Sequence, residues 1–360
     1  MLLGEGADKD LAMKIEEKAT YREIMSQTQA WDGGLASVKA EAQSLRDLWH
    51  KGDYRQVFFT GCGSTYYLSL AAAALWQEFM DVPARGVPAG ELYLYPKATY
   101  GATETGRNLL VAISRSGTTS ETVAIANRFK AEGRGDVVVI TNYGDTPLAE
   151  AGDVTIAVPE GQEESVAQTR SFASMYVAAT ALVMTLADRP KLLASMADLR
   201  PAGDRILADY AGLARKLGEN LALDRFYFLG SGPRYGLACE VNLKMSEMTL
   251  TNSEPFFFFE FRHGPISMAG EPAVVIGLLS EKNREREEAV LHESEELGSQ
   301  VFTLADEQAD VNFKSGLPEA IRNVLYLPVL QLMAFYRSMA KGLNPDRPAN
   351  LTAVVELDLE

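Results

Sequence analysis

Cysteine and histidine are scarce in this sequence, with two of the first and three of the second among 360 residues. Cys62 and Cys239 are too few and too far apart to form a disulfide framework. His50, His263 and His292 show no spacing suited to metal ligation, so neither a metal nor another cofactor is expected. Basic residues are also short, 34 Lys and Arg against 49 Asp and Glu, for a formal net charge of −15. A chain with no basic excess cannot displace the counterions of a nucleic acid, which excludes that class of partner. The same deficit is no bar to a small phosphorylated ligand, because a local loop can hold one. No apolar run reaches the ~18 residues of a membrane span and no signal peptide is apparent, so a cytoplasmic protein without membrane attachment is expected.

What is present reads as a soluble globular chain with room for two domains. A polar–apolar helical start carries Trp31, Leu35, Val38, Leu45 and Leu48 at helical spacing. Then short β-rich runs alternate with helix-forming stretches. "RQVFFTGCGSTYYLSL" gives strand, glycine turn and helix; "LLVAIS" (109–114), "DVVVIT" (136–141) and "VTIAV" (154–158) read as further strands. Alternation of this kind predicts βαβ units and parallel sheets, an α/β fold. The second half repeats the plan. "RFYFLGSGPRYGLA" aligns Gly230 with Gly61, Gly232 with Gly63 and Tyr235 with Tyr66, and "AVVIGLLS", "VFTLA" and "VLYLP" take the places of the later strands. So long a period indicates duplicated domains.

The halves differ at one loop. After its second strand the first half has "SRSGTTSET" (114–122), where hydroxyls surround Gly117; the second half has the charged "SEKNREREE". A hydroxyl-rich turn at a helix start suits a phosphate monoester, although an ordinary N-cap uses the same residue types. Ser64 and Thr65 add hydroxyls at the first strand–helix turn, and adjacent strand ends are where parallel sheets bind ligands. Cys62 has no neighbouring base and reads as a small residue in a tight turn. "NLKMSEM" puts Lys244 and Glu247 on one helix face, and "PFFFFEFRHGPISM" puts His263 just after an aromatic run. Amine, carboxylate and imidazole near a phosphosugar site would make an acid–base set.

"SRSGTTSET", "GCGSTY", "LKMSEM", "EFRHGPISM" and "KGLNPDRPANL" together resemble the sugar isomerase (SIS) family. The likeness is nearest to the two-SIS isomerase module of glutamine–fructose-6-phosphate amidotransferase and to related amino-sugar-phosphate deaminase/isomerases. The resemblance implies two tandem flavodoxin-like SIS domains, each a parallel sheet flanked by helices. Expected divisions are an N-terminal helical segment (1–48), a first SIS domain with the phosphosugar loops (49–190), a helical linker (191–220), a second SIS domain (221–343) and a C-terminal tail (344–360).

By the same resemblance Ser64, Thr65, Ser114, Arg115, Ser116 and Thr119 bind the sugar phosphate, and Val166 and Gln168 line the sugar. Gln168 stands where the amidotransferase has serine. Glu247, with Lys244 beside it, shuttles a proton between C1 and C2. His263 opens the sugar ring across a homodimer interface, so that subunits share the site. By the resemblance no glutaminase is expected before the module, and Ala353 aligns with the amidotransferase's Schiff-base lysine. An amino sugar brings its own nitrogen and needs no such lysine. The implied activity is therefore deamination and isomerisation of an aminohexose 6-phosphate, glucosamine 6-phosphate giving fructose 6-phosphate and ammonia. An aldose–ketose isomerase, a fructosamine-phosphate deglycase, an ammonia-dependent synthase and a phosphosugar-binding regulator are the alternatives.

Overall fold

The structure, a computed structural model, describes residues 15–100, 106–355 and 357–358. Residues 1–14 of the expected N-terminal segment lie outside the described residues.

Among the described residues ten strands form two five-stranded sheets in which every pairing is parallel. The first contains β1 (Gln56–Gly61), β2 (Ala84–Pro88), β3 (Asn108–Ser114), β4 (Gly135–Thr141) and β5 (Val154–Ala157) in the order β2-β1-β3-β4-β5. The second contains β6 (Arg225–Leu229), β7 (Asn252–Phe256), β8 (Ala273–Leu278), β9 (Gln300–Ala305) and β10 (Val311–Asn312) in the order β10-β9-β8-β6-β7. Counted within each half, both orders are 2-1-3-4-5, the doubly wound flavodoxin-like arrangement. Central strands are apolar throughout because helices cover both faces: all seven residues of β3 and all six of β8 are buried.

The helices that matter for the site are α1 (Ala19–Ala40), α2 (Ala42–Gly52), α3 (Ser64–Phe79), α4 (Ser120–Ala131), α5 (Arg170–Leu186), α6 (Leu199–Glu219), α7 (Pro233–Thr249), α8 (Arg284–Glu296) and α9 (Leu327–Ala340). Every residue of α5 after Arg170 is buried, which makes it an internal strut. It packs along α1, while α9 packs along α6. One apolar cluster runs through both halves, from Val57 and Ile113 to Phe228, Ile276 and Phe335. Between the halves α3 crosses α7, and the crossing is close at Gly236. A Cβ there would stand 2.4 Å from the Tyr67 carbonyl oxygen and 2.7 Å from the Ala71 nitrogen.

One sequence expectation needs correction. "VLYLP" (324–328) is not a strand: residues Asn323–Tyr326 form a 3₁₀ turn that feeds α9, with Pro328 in its first turn. A short apolar run carries no period that separates strand from helix, whereas proline favours a helix start. The strand matching "VTIAV" is β10, paired through Val311 to Leu304. The phenylalanine run is split. Phe256 ends edge strand β7, and Phe258–Arg262 form a short helix. Pro255 is tolerated in β7 because an edge strand has one unpaired side.

Candidate active site

The first strand–helix turn is tight because Gly63 has φ +55°, a conformation that side chains disfavour. Thr65 is absorbed by this turn: its hydroxyl accepts from the Cys62 N–H (2.9 Å) and donates to the Cys62 carbonyl (3.0 Å). Ser64, at the start of α3, faces the second half instead. Its Oγ donates to Glu240 Oε1 (3.2 Å) and accepts from Lys244 Nζ (3.3 Å), both on α7. Lys244 also pairs with Glu240 (3.3 Å) and with Glu247. Ser64, Lys244 and Glu247 are thus brought together across the α3–α7 crossing, around a buried glutamate that sequence reasoning did not single out. The signal was present, since Glu240, Lys244 and Glu247 recur at i, i+4 and i+7 on one helix.

The second turn follows β3. Ser114 Oγ accepts from the Gly117 N–H (3.2 Å) and lies 3.3 Å from Thr119 Oγ1. Ser116 Oγ accepts from the Thr118 N–H (3.2 Å) and hydroxyl (3.0 Å). Thr119 is the N-cap of α4 without a side-chain cap bond, so the helix's first amides remain open to an anion.

Arg115 faces neither this loop nor solvent. Its Nη1 donates to the carbonyls of Ser165 (3.2 Å) and Val166 (2.8 Å), and its Nη2 to that of Ala353 (2.9 Å). The Glu163 carboxylate lies 3.5 Å from Nη1. Arg115, Val166 and Ala353 therefore meet through the backbone, with the guanidinium tying the sugar-lining segment to the tail. Two buried acids shape that segment. Glu23 accepts from the Ser165 N–H (3.3 Å), and Glu163 accepts from the Thr169 N–H (3.2 Å) and Ser171 N–H (3.2 Å). Asp346, in the tail, accepts the Val166 N–H at its carbonyl (2.9 Å) and the Thr20 N–H at its carboxylate (2.9 Å). Further on, the Leu357 N–H reaches Ser120 Oγ (3.0 Å), so the tail crosses the start of α4. Gln168 is half-buried, and its Oε1 has no hydrogen-bond partner among the described residues.

A cavity of about 420 Å³ opens beside the second turn, lined by Arg115, Ser116, Tyr143, Asp145 and Ala353 among others. Its described lining does not include Ser64, Thr65 or Glu247. His263 stands apart as well. It is exposed at the C-terminal end of the short helix, and no hydrogen bond or ion pair among the described residues joins it to the Lys244 cluster. The aromatics explain its placement, since Phe258 and Phe261 are buried with Tyr227 and Val275 and anchor the segment that holds it out.

Residues 53–185 match the family model described as "SIS domain". That stretch contains all five strands of the first sheet. The chain is 27% identical to the isomerizing glutamine–fructose-6-phosphate aminotransferase of Pyrococcus horikoshii, over 96% of this chain and 60% of that one. It is 25% identical to the corresponding enzyme of Pseudomonas putida, over 98% and 60%. The chain thus spans about 60% of the length of these curated relatives. Among solved structures it resembles glucosamine-6-phosphate deaminase from Thermotoga maritima, with TM-score 0.77 and 25% identity, over 94% of this chain and all of that one. It shares its fold with tagatose-6-phosphate ketose/aldose isomerase from Escherichia coli, with TM-score 0.80 and 21% identity over 93% and 96%.

The second sheet repeats the order of the first, and the two halves divide the polar work. The first offers hydroxyls and open amides; the second offers ionisable groups. Burial pushes the Glu240 carboxyl up to about 8, with Lys244 opposing that rise and Glu247 adding to it. Burial alone would push the Lys244 ammonium down, but Glu240 and Glu247 outweigh it and hold it above the ordinary lysine range. Burial thus favours the protonated form of Glu240, while the two neighbouring acids favour the charged form of Lys244, which pairs with Glu247. Such an arrangement can hold a carboxylate in place beside the first strand–helix turn. Among the described residues no group of three or more His, Cys, Asp or Glu side chains could hold a metal ion, and no helix is long and apolar enough to cross a membrane.

Proposed function

We propose that this chain is a phosphosugar isomerase that deaminates an aminohexose 6-phosphate. The observation that carries the reading is the pairing of Glu247 with Lys244 beside Ser64, at the mouth of the first strand–helix turn. The phosphate rests on the Ser114–Thr119 turn and the open amides of α4. Glu247 takes the C2 proton of the open-chain sugar, leaving an enolamine, and returns a proton at C1. The resulting ketimine takes up water and releases ammonia and fructose 6-phosphate. Lys244 keeps the Glu247 carboxylate oriented for both transfers. Ala353, at the tail position where the amidotransferase has lysine, has no amine to offer, and a substrate that carries its own nitrogen does not require one. Likeness along nearly the whole chain to a protein named glucosamine-6-phosphate deaminase supports the same reading.

His263 serves a neighbouring subunit in this reading and assists ring opening there. Support comes from its exposure and from the buried phenylalanines that fix the segment carrying it. The room beside Ala353 and the unpartnered Gln168 Oε1 favour a second substrate class, a fructosamine phosphate whose amine bears a substituent.

The deciding test is ammonia release from glucosamine 6-phosphate and galactosamine 6-phosphate, with amine release from a fructosamine 6-phosphate run alongside. Glu247→Gln is expected to cut turnover ~10²- to 10⁴-fold, the usual worth of a positioned base, and to leave sugar-phosphate binding within a few-fold. Full activity in that variant would remove the proton shuttle. Release from the fructosamine alone would move the assignment to the second class.

A further inference from the structure

The second half has its own crevice at the place where the first half is read to bind phosphosugar. It lies off the C-terminal ends of β6 and β8, the switch point of the second sheet, with Ser231 in the position that Cys62 occupies in the first turn. Its volume is about 500 Å³, and Phe257, Phe259, Glu260, Asn283, Arg286 and Glu287 line it. From the sequence, the charged "SEKNREREE" had marked this half as the one that lost its ligand loop.

The crevice contains an unusual set of unsatisfied groups. Arg286 and Glu260 are exposed, and neither has an ion-pair partner among the described residues. Asn283 is the N-cap of α8; its backbone N–H donates to Ser280 Oγ (2.9 Å), and its side chain makes no cap bond. Glu287 is 2% exposed; its Oε2 accepts from the Ser280 N–H (2.6 Å), while its Oε1 accepts no hydrogen bond and lies 3.9 Å from Arg234 Nη2. A buried carboxylate oxygen without a donor costs free energy that a bound donor would recover. Between these poles stand two phenylalanine rings. Phe257 stacks on Tyr235 with centroids 3.6 Å apart and is still 41% exposed, and Phe259 is 50% exposed. An anion alone would meet Glu260 and Glu287, and a cation alone would meet Arg286. A ligand that carries both charges satisfies all three.

We propose that this crevice is a second ligand site, which takes a small zwitterion with a protonated amine, an anionic group and an apolar ring or chain between them. The amine meets Glu260 and Glu287, the anionic group meets Arg286 and Asn283, and the body lies on the phenylalanines. Aminohexose phosphates and α-amino acids share this chemistry. The inference rests on the crevice's own groups, although Phe257, Phe259 and Glu260 belong to the segment that carries His263.

The test is calorimetric titration of the full chain carrying Ser116→Ala and Thr119→Ala, which weakens the first turn's hold on phosphate. The probes are glucosamine 6-phosphate, L-phenylalanine and, as an anion without an amine, fructose 6-phosphate. One of the two zwitterions is expected to bind once per chain and names the source. Arg286→Ala and Glu260→Gln, both at exposed positions that do not threaten folding, are each expected to weaken that binding by about tenfold or more, the loss of one charge-assisted contact. The proposal is overturned if neither zwitterion binds, if fructose 6-phosphate binds equally well, or if either substitution leaves the affinity unchanged. A change in sedimentation without any change in binding would assign the crevice to a second copy of the chain and likewise overturn it. An inactive deaminase that still binds the zwitterion would leave this site intact, so the two readings fail separately.

Discussion

At the scale of single residues, two buried charges decide how the site is held. The resemblance carried by "SRSGTTSET" made Arg115 a candidate site residue, but the sequence could not say which way its guanidinium turned. It ties three carbonyls from two distant segments while facing Glu163. Arg115→Ala should therefore cost about 3 kcal/mol or more, since it leaves a buried carboxylate without its cation. The tail beyond residue 345 should become protease-sensitive. Arg115→Lys restores charge but not the forked geometry, so stability should return in part and tail protection should not. Denaturant unfolding and limited proteolysis measure both; a stable Arg115→Ala protein with a protected tail would refute this role. Glu240 gives a pH prediction. Its folded value of about 8 lies above its ordinary 4.5, so between those limits the folded chain keeps a proton that the unfolded chain has lost. Its stabilising contribution is full below 4.5 and is lost as pH rises through about 8. Glu23 and Glu287 are raised by burial too and slope the same way. The comparison that isolates Glu240 is melting temperature against pH for the parent and Glu240→Gln, where the decline should be shallower in the variant. Identical slopes would show that Glu240 holds no extra proton.

At the scale of elements, the site depends on one helix crossing. α3 carries Ser64 to α7 only because Gly236 lets the two backbones approach. Gly236→Ala places a methyl against the Tyr67 carbonyl and forces the helices apart, at a cost of about 1–3 kcal/mol for overpacking. Turnover should fall further than stability explains, because Ser64 and Lys244 separate together. A variant with parental activity would show that the crossing does not set the site. Helices and central strands were readable because their patterns were long or bounded by turn residues: "LLVAIS" lies within β3 and "DVVVIT" within β4. The edge strands β2 and β7 were not, since each carries polar residues and a proline and lacks alternation. "VLYLP" failed for the opposite reason, being uniformly apolar in a place where either element would be buried. For the site, Lys244 and Glu247 could be paired by spacing. Their meeting with Ser64, 180 positions from Lys244, is a fact of tertiary packing that no local pattern records.

At the scale of the whole molecule, a duplicated fold has divided the work between its halves. The first half's turns hold hydroxyls and open helix amides, the second half's α7 holds the ionisable groups, and the crossing joins them within one chain. His263 is exposed and makes no hydrogen bond or ion pair to the α7 cluster among the described residues, which makes assembly the decisive question. If His263 works in a neighbour's site, Glu247→Gln and His263→Ala are defects in opposite halves of a shared centre. Each protein alone should be nearly inactive. A mixed dimer would contain one site with both defects and one with neither. Equal mixing with free subunit exchange makes half of all dimers mixed, so activity should recover to about a quarter of the parent's in a closed two-fold dimer. The mixture should be unfolded and refolded together, then assayed beside the separately treated proteins and checked for dimers by sedimentation. Recovery near a quarter requires a subunit to lend its histidine to its partner. Dimers that form without any recovery would place His263 in the site of its own chain or outside catalysis altogether. A monomer that turns over substrate would dispense with the shared centre and leave the α7 cluster to act alone.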